Sequence, residues 1–290
     1  MDFATFLIQC LNALQYGLLL FLVASGLTLI FGIMGVINLA HGSFYMAGAY
    51  LAFGLAPLFG DNFLVMLLAG VLLSALFGYL LEWVFFSYLY EREHLQQVLM
   101  TYALILVFEE VRSILVGNDV HGVPTPPWLS GTIPLGELMT YPVYRLFASA
   151  ACIAVGVALY LVVNKTRLGM MIRAGASNRD MVRGLGINIR HLYRIVFAGG
   201  VALAALAGMI AAPMSSVYPG MGGHVLIISF VVVVIGGIGS ISGALVASLL
   251  VGFVDTFGKV FFAEYSGIGV YLLMAIVLVW RPQGLMSKGY

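Results

Sequence analysis

The sequence predicts an all-α, polytopic membrane protein, and its composition is the first reason. Hydrophobic residues make up 62% of the 290-residue chain and charged residues only 9%, with a mean hydropathy of +1.07. A soluble domain has about 25% charged residues, so a water-soluble fold of this size could not bury so much apolar surface. The second reason is that apolar runs of roughly 18–25 residues recur, whereas the roughly 10-residue alternation of an outer-membrane barrel is absent.

The apolar runs predict about eight transmembrane helices in a single transmembrane domain that covers residues 1–290. The seventh run is about 35 residues long, which exceeds one straight crossing, and glycines interrupt it at Gly236–Ser240. We therefore expect two segments around a break, as a tight hairpin or a re-entrant pair, which gives eight to ten segments in all. The runs are 8–33, 38–58, 63–88, 95–117, 143–164, 192–214, 224–258 and 265–281.

The uneven distribution of Lys and Arg predicts how the chain is oriented. Seven of the 13 basic residues lie between 165 and 194, where Asp180 is the only acid. The positive-inside rule therefore makes residues 165–191 a cytoplasmic loop. Counting crossings from there places residues 118–142 and the N-terminus outside. Arg145 and Lys259 would also lie outside, against the rule.

A basic, polar stretch inside this loop, "RAGASNRDMVRGLGINIR" (173–190), predicts a short helix. Ser177 has the position of an N-cap, and Asp180, three residues later, completes a capping box. Gly184 and Gly186 are expected to end the helix after about two turns.

The predicted helix is amphipathic, with Met181, Val182 and Leu185 on one side and Arg179 and Arg183 on another. A helix this short is unstable alone in water, so it needs a surface on which to lie. Anionic lipid headgroups are one such surface. The groove of a cytoplasmic partner is another, and it also explains the cap and the glycine stop.

Two breaks between apolar segments are candidates for lining a translocation pathway, because non-helical backbone at membrane depth is tolerated where it lines a cavity or is buried in protein. The first is "NLAHGS" (38–43), where polar side chains and a half-helix N-terminus could meet a solute. Alternatively, Asn38 caps the second helix at the interface and His41 is merely partnered there. The second break is expected to shape the backbone. The candidates are Asn38, His41, Gly42, Ser43, Gly236, Gly237, Gly239 and Ser240.

The ionisable residues near the apolar runs are expected to form structural pairs. Glu109 and Arg112 are three residues apart, and Asp255 and Lys259 are four apart, so each pair fits one helix face. Pairing lowers the cost of a charge near lipid. Glu82 has no such partner in the sequence and could face a second subunit.

Other function classes find little support in the residues. The chain has no GxxxxGK[ST] loop, so it is not itself an ATPase. The histidines are isolated, with no metal-ligand spacing, and no nucleophile motif is present. Nucleic-acid binding is not expected, because the basic loop lacks interleaved aromatic residues. No cofactor is expected in this chain.

The stretch "RAGASNRDMVRGLGINI" resembles the coupling loop of permease subunits of ATP-binding-cassette (ABC) importers. Three further stretches narrow the resemblance: "GLTLIFGIMGVINLAHGSFYMAGAY" (26–50), "VIGGIGSISGALVASLLVG" (234–252) and "RPQGL" (281–285). Together they resemble the branched-chain amino-acid permease family, and most closely its shorter, H-type subunit. The resemblance spans nearly the whole chain.

The resemblance implies an ABC importer permease fold in a bacterial inner membrane. A homologous second permease subunit would complete the pore, two cytoplasmic ATPase subunits would bind ATP and Mg²⁺, and a periplasmic or lipid-anchored binding protein would deliver the substrate. Membrane lipid is a further partner. The residues that map to the ATPase-coupling helix are Ala174, Gly175, Ala176, Ser177, Asn178, Arg179, Asp180, Arg183, Gly184, Gly186 and Ile187.

The function expected on these grounds is that of a non-enzymatic permease subunit for branched-chain amino acids or related small carboxylates and amides. Such a pore need not bind tightly, which fits the scarcity of fixed charge in the spans. The alternative is a stand-alone secondary transporter or channel. Such a protein more often buries an ion-coupling carboxylate, and Glu82 is the one weak candidate.

Overall fold

The computed structural model describes residues 3–90, 92–134 and 140–286, and within them the fold is almost entirely helical. A short antiparallel hairpin pairs β1 (Thr132–Pro134) with β2 (Thr140–Pro142). The helices are α1 (Phe3–Met34), α2 (His41–Phe59), α3 (Phe63–Val84), α4 (His94–Val116), α5 (Val143–Lys165), α6 (Arg167–Ser177), α7 (Arg179–Gly184), α8 (Ile189–Ala211), α9 (Met221–Gly236), α10 (Ile241–Phe261) and α11 (Ser266–Trp280).

These helices confirm the prediction of an all-α polytopic membrane protein. Among the described residues, six helical segments are long and apolar enough to cross a membrane, and they involve α1, α2, α3, α5, α8 and α10. The helices α9 and α11 are shorter but equally apolar. The seventh predicted run forms two helices, α9 and α10, on either side of the expected break.

The first helix, α1, forms the centre of the bundle. It is apolar on all sides, as a helix buried in a larger assembly should be, and it packs against α5, α8, α9 and α10. Glycines permit the closest approaches. A Cβ atom on Gly17 would lie 2.9 Å from the Ser248 carbonyl oxygen, and one on Gly26 would lie 2.6 Å from the Gly200 carbonyl oxygen.

Small residues on α8 form the ridge that packs against α1 and α2. A Cβ atom on Gly208 would lie 2.0 Å from the Tyr45 carbonyl oxygen, and one on Gly200 would lie 2.7 Å from Ile30 Cδ1. Such ridges let helix backbones approach closely in lipid. The ridge consists of Gly200, Ala204, Gly208 and Ala212, all of them buried.

The bundle has two chemically different ends. We call one the basic end; it contains residues 35–40, 165–188, 237–240 and 281–286. The β-hairpin lies at the opposite end, where His121 also pairs with Val217 in an isolated antiparallel bridge. The basic end holds the predicted coupling loop, the second predicted break and the start of the chain segment that leads inward to the first one.

Candidate functional site

The short helix predicted in the coupling loop is present as α7, but its cap lies one residue later than predicted. The Asn178 side-chain oxygen accepts a hydrogen bond from the Met181 amide at 2.9 Å, which makes Asn178 the N-cap. Ser177 instead ends α6, because the Asn178 amide still donates to the Ala174 carbonyl oxygen. Asp180 therefore lies in the first turn of α7, where its charge favours the helix N-terminus, and does not complete a capping box.

The loop also contains a helix that the sequence analysis missed. Residues Arg167–Ser177 form α6, whose N-cap is Thr166: its hydroxyl accepts from the Gly169 amide at 3.2 Å. The signal was a Thr directly before the segment. Gly175 packs α6 onto the bundle, since its Cβ atom would lie 3.4 Å from Ile33 Cδ1. The predicted coupling loop is thus two helices, with Ala174 and Ala176 exposed near the end of the first.

The apolar residues of α7 do not share one side, which corrects the expected pattern. Val182 is only 3% exposed, whereas Met181 is 67% and Leu185 is 75% exposed. Met181 and Leu185 are four residues apart and therefore lie on one face, while Val182 is turned about 100° from Met181. Gly184 is the last residue of α7, and Gly186 follows with a φ of +84°, so the glycine stop is confirmed.

Arg179, at the start of α7, reaches the end of α1. Its guanidinium lies 6.0 Å from the centre of the Tyr193 ring. Its Nη2 atom would lie 2.8 Å from a Cβ atom on Gly35, the residue that follows α1 and has a φ of +66°. Arg183 is exposed, and Ile187, just after the glycine stop, is half-buried. The first residue of α7 therefore contacts the bundle. The face of α7 that carries Met181 and Leu185 stays exposed.

The non-helical segment 35–40 overlaps the first predicted break, residues 38–43, and runs back into the bundle. The His41 ring donates a hydrogen bond from Nε2 to the Val23 carbonyl oxygen at 2.9 Å. Val23 precedes the end of α1 by eleven residues, which is about 16 Å along the helix axis. Val36, Asn38 and Ala40 are at most 2% exposed. The second helix therefore begins deep inside the bundle, with buried non-helical backbone leading to it.

Polar atoms at the start of α2 are buried without partners. The Asn38 side-chain oxygen accepts from the Ala40 amide at 3.1 Å, so its carboxamide lies beside the α2 N-terminus. Among the described residues, Asn38 Nδ2 and His41 Nδ1 have no hydrogen-bond partner. Since His41 Nε2 faces a carbonyl oxygen and carries the proton, Nδ1 is an acceptor in the neutral ring. One unpaired donor and one unpaired acceptor thus lie at this break, where a water molecule or polar solute would satisfy them.

Gly42 and Ser43, which follow His41 in the first predicted break, differ in their contacts. A Cβ atom on Gly42 would lie 2.1 Å from the Gly222 carbonyl oxygen, so Gly42 lets the first turns of α2 and α9 touch. Ser43 is only 4% exposed and lies in the same first turn of α2. Asn38 does not cap α2 through a side-chain bond to its first turn. The interfacial-cap alternative for Asn38 therefore does not describe this geometry.

The second predicted break, between α9 and α10, is a backbone feature. Gly237 and Gly239 have φ angles of +95° and +80°, which L side chains rarely adopt. Ser240 caps α10 by accepting from the Gly243 amide at 3.0 Å. A Cβ atom on Gly236 would lie 2.5 Å from the Gly243 carbonyl carbon. This break contributes shape, as expected.

The end of α1 adjoins both breaks, and the chain after α11 secures the second one. A Cβ atom on Gly32 would lie 3.1 Å from the Gly239 Cα atom. The Leu285 and Met286 amides donate to the carbonyl oxygens of Ile235 and Gly236, at 2.8 and 3.1 Å, and thereby satisfy the C-terminus of α9. In the sequence this tail is recognisable only as a motif, because its partner is about 50 residues away.

Glu82 is paired within the chain, with an arginine 112 residues away, whereas we expected that it could face a second subunit. The carboxylate is fully buried and accepts from Arg194 Nε at 3.2 Å and from the Tyr90 hydroxyl at 2.5 Å. Burial, followed by the Glu82 charge, raises the pKa of Tyr90. The Tyr90 ring also contacts Tyr193, at 4.9 Å between centroids. A continuous set of contacts thus leads from Arg179 through Tyr193 and Tyr90 to Glu82.

The other two expected pairs are confirmed. Arg112 Nε lies 3.1 Å from the Glu109 carboxylate, and Lys259 Nζ lies 2.5 Å from the Asp255 carboxylate. Both pairs lie toward the end of the bundle opposite the basic end. Within the described ranges, no group of three or more His, Cys, Asp or Glu side chains is arranged to hold a metal ion.

Comparisons with known proteins agree over nearly the whole chain. The model of the family described as "Branched-chain amino acid transport system / permease component" matches residues 9–278. The permease protein BraD of a high-affinity branched-chain amino acid transport system in Pseudomonas aeruginosa is 31% identical, over 98% of this chain and 96% of its own. The LivH permease of Escherichia coli K12 is 27% identical, over 99% and 97%. A probable LivH permease of Methanocaldococcus jannaschii is 27% identical, over 94% and 90%. No solved structure matches.

Proposed function

Because the chain belongs to the family of permease components of branched-chain amino acid transport systems, we propose that it forms one half of an importer pore. A homologous second permease subunit supplies the other half. Two ATPase subunits bind ATP and Mg²⁺ and dock on the basic end. A periplasmic or lipid-anchored binding protein delivers the substrate to the opposite end. The basic end is cytoplasmic, in a bacterial inner membrane.

One observation carries this proposal: α7 presents a free apolar face while its first residue is anchored on the bundle. Met181 and Leu185 are exposed side by side, next to the exposed Arg183. A small apolar patch rimmed by charge is typical of a protein contact surface. The capped start and the glycine stop hold this patch in a defined place, which lipid anchoring does not require. An ATPase groove that receives α7 accounts for all of these features.

The contacts of Arg179 supply a route from this docking surface to the pathway. Arg179 contacts Gly35 and Tyr193, and Gly35 is the first residue of the break that leads to Asn38 and His41. Gly32, one turn before, packs against the second break at Gly239. When ATP-driven closure of the ATPases moves α7, the end of α1 and both breaks move with it. The pathway then opens alternately to either side.

The substrate class follows from the family and suits the chemistry of the first break. Branched-chain amino acids, or related small carboxylates and amides, have an apolar body and a polar head. The unpaired Asn38 Nδ2 and His41 Nδ1 atoms offer a donor and an acceptor without a fixed charge. A solute can therefore be solvated transiently there without being held tightly. Affinity and selectivity reside in the binding protein.

A stand-alone secondary transporter is not supported by any residue described. Its one candidate coupling group, Glu82, is bound by Arg194 and Tyr90. A carboxylate with its charge already compensated is poorly placed to load and release a coupling ion.

The test replaces the exposed face of α7. In the Met181→Asp, Leu185→Asp double variant, we expect the ATPase subunits to be lost from the purified complex and uptake of labelled leucine to fall to background. Membrane insertion should not change, because both side chains are exposed. Met170→Asp is the control, since Met170 is 58% exposed on α6 of the same loop. A double variant that keeps its ATPases and its uptake would show that α7 is not the docking surface.

A further inference from the structure

An open groove at the basic end lies outside the coupling contacts. It has a volume of about 550 Å³ and lies between the end of α3, the start of α8 and the chain that leads into α4. Three of its lining residues are arginines and two are large aromatic residues. Its described lining is Trp83, Ser87, Tyr88, Arg92, Arg190 and Arg194.

The three arginines of the groove differ in what they are free to bind. Arg194 forms the back wall: it is paired with Glu82 and lies 5.9 Å from the centre of the Trp83 ring. Arg92 and Arg190 are exposed and have no ion pair among the described residues. The exposed Glu93 is next to Arg92 in the sequence but is not part of the lining. Two guanidinium groups with no ion-pair partner among the described residues therefore line a groove whose described lining contains no acid.

The groove lies where lipid headgroups meet the bundle. Trp83 is 54% and Tyr88 is 75% exposed, and such rings favour the boundary between hydrocarbon and headgroups. Along α3, toward the opposite end, the surface continues as exposed leucines, including Leu72, Leu76 and Leu80. The polar groove and this apolar face form one continuous surface. From Leu72 to Trp83 this surface runs for about three helical turns.

We propose that this groove binds the phosphate headgroup of an anionic phospholipid, with Arg92 and Arg190 as its ligands and the acyl chains lying along α3. Guanidinium groups bind phosphate oxygens through paired hydrogen bonds. Basic pockets between transmembrane helices are known to take acidic headgroups. A soluble phosphate would use the arginines but leave Trp83 and the leucines of α3 without a role. The bound lipid reinforces the junction between α3 and α8 that Glu82 and Arg194 already make.

The experiment uses Trp83 as a reporter inside the groove. Replacing Trp128 and Trp280 by Phe leaves Trp83 as the single tryptophan of the full chain. The protein is reconstituted in phosphatidylcholine bilayers containing a minor fraction of brominated lipid, which quenches nearby tryptophan. We expect brominated phosphatidylglycerol to quench Trp83 more strongly than brominated phosphatidylcholine at the same mole fraction.

Variants then assign the preference to the groove. Arg92→Gln combined with Arg190→Gln should weaken the preference for phosphatidylglycerol by about 25-fold, since each basic residue near a lipid surface contributes about a factor of five. Arg194 is left in place so that Glu82 keeps its partner. Arg167→Gln is the matched control, because it removes one exposed arginine at the same end but outside the groove.

Several outcomes would overturn the proposal. Equal quenching by the two lipids would mean that the groove does not select charge. A preference that survives the double variant would place the lipid elsewhere. A change in Trp83 fluorescence on adding inorganic phosphate to neutral bilayers would make the ligand a soluble anion. If neither lipid quenches Trp83, lipid does not reach the groove and the proposal fails.

Discussion

At the scale of single residues, the pair formed by Glu82 and Arg194 is the most consequential charge contact in the described chain. It joins α3 to α8, and Tyr90 ties the chain before α4 to the same carboxylate. Arg194 also lies 6.0 Å from the Tyr79 ring centre, which spreads its charge over aromatic surface. A buried charge pair contributes little net stability as such, but the loss of one partner is costly.

We expect Glu82→Gln to destabilise the protein by about 2 kcal/mol, less than the roughly 3–5 kcal/mol for a fully buried pair, because the Arg194 side chain keeps access to solvent. The thermal unfolding midpoint in detergent measures the effect. Glu109→Gln is the control, since Glu109 is 30% exposed and Arg112 keeps its hydrogen bonds to the Gly117 carbonyl oxygen and to Asn118, so a smaller change is expected there. Equal shifts in the two variants would contradict the special role of Glu82.

At the scale of elements, backbone contacts through small residues position the helices that form the candidate site. The α8 ridge holds α2 at Gly208 and α1 at Gly200, and α2 touches α9 at Gly42. None of these glycines has room for a side chain, so the helices pack backbone against backbone. This packing fixes the depth in the bundle at which α2 begins. The unpaired atoms of Asn38 and His41 lie at that depth as a consequence.

Gly208→Ala tests this packing with the smallest possible change. The added Cβ atom would meet the Tyr45 carbonyl oxygen at 2.0 Å, so α2 and α8 must separate. We expect a loss of about 1–3 kcal/mol, as for other overpacked sites, seen as a lower yield of folded protein and a lower unfolding midpoint. Gly199→Ala is the matched control on the same helix, with nothing within 4 Å of the added atom. It should be neutral, or stabilising by up to about 1 kcal/mol.

At the scale of the whole molecule, charge and function are divided between two ends. Helices α6 and α7, the second break and the arginine groove lie at the basic end, whereas the β-hairpin and the bridge between His121 and Val217 lie at the other. Arg112 and Lys259, toward the hairpin end, are both paired with acids. The charges of Arg112 and Lys259 are thus neutralised by neighbouring acids. They therefore count less than unpaired basic residues when the positive-inside rule is applied.

The orientation can be tested with two exposed positions at opposite ends. In a chain whose Cys10 and Cys152 are replaced by Ala, Thr125→Cys and Arg167→Cys are treated with a membrane-impermeant maleimide. We expect Thr125→Cys to react in intact cells and Arg167→Cys to react only after permeabilisation, because the positive-inside rule predicts a cytoplasmic location for residues 165–191. The reverse pattern of labelling would invert the topology and remove α7 from the reach of cytoplasmic ATPases.

Much of the fold was predictable from the sequence, because hydrocarbon leaves a spanning backbone few options other than a helix. The apolar runs located the long helices to within a few residues, and the glycines at 236–239 located the break between α9 and α10. The pairs of Glu109 with Arg112 and of Asp255 with Lys259 were predictable because helical spacing brings them together. In each case the information is local.

The candidate site was only partly predictable, because its contacts join residues far apart in the chain. Spacing along one helix could not reveal that Glu82 meets Arg194, or that Arg179 lies against Gly35. The N-cap was misplaced by one residue because Ser177 and Asn178 are both good caps. Asn178 is the N-cap because α6 continues through Ser177. Local propensity allows either residue as the N-cap. The position at which α6 ends determines which of the two takes that role.

The sequence by itself determined the class of protein, the helical segments, the breaks between them and the asymmetry of charge. These follow from hydropathy, glycine and proline placement and Lys/Arg distribution, which act over a few turns of chain. Only the tertiary structure decided which ends of the segments meet. Close backbone packing around α1 brings the coupling helix, the two breaks and the tail together at one end. That choice depends on shape complementarity between helices distant in the chain, which no local pattern records.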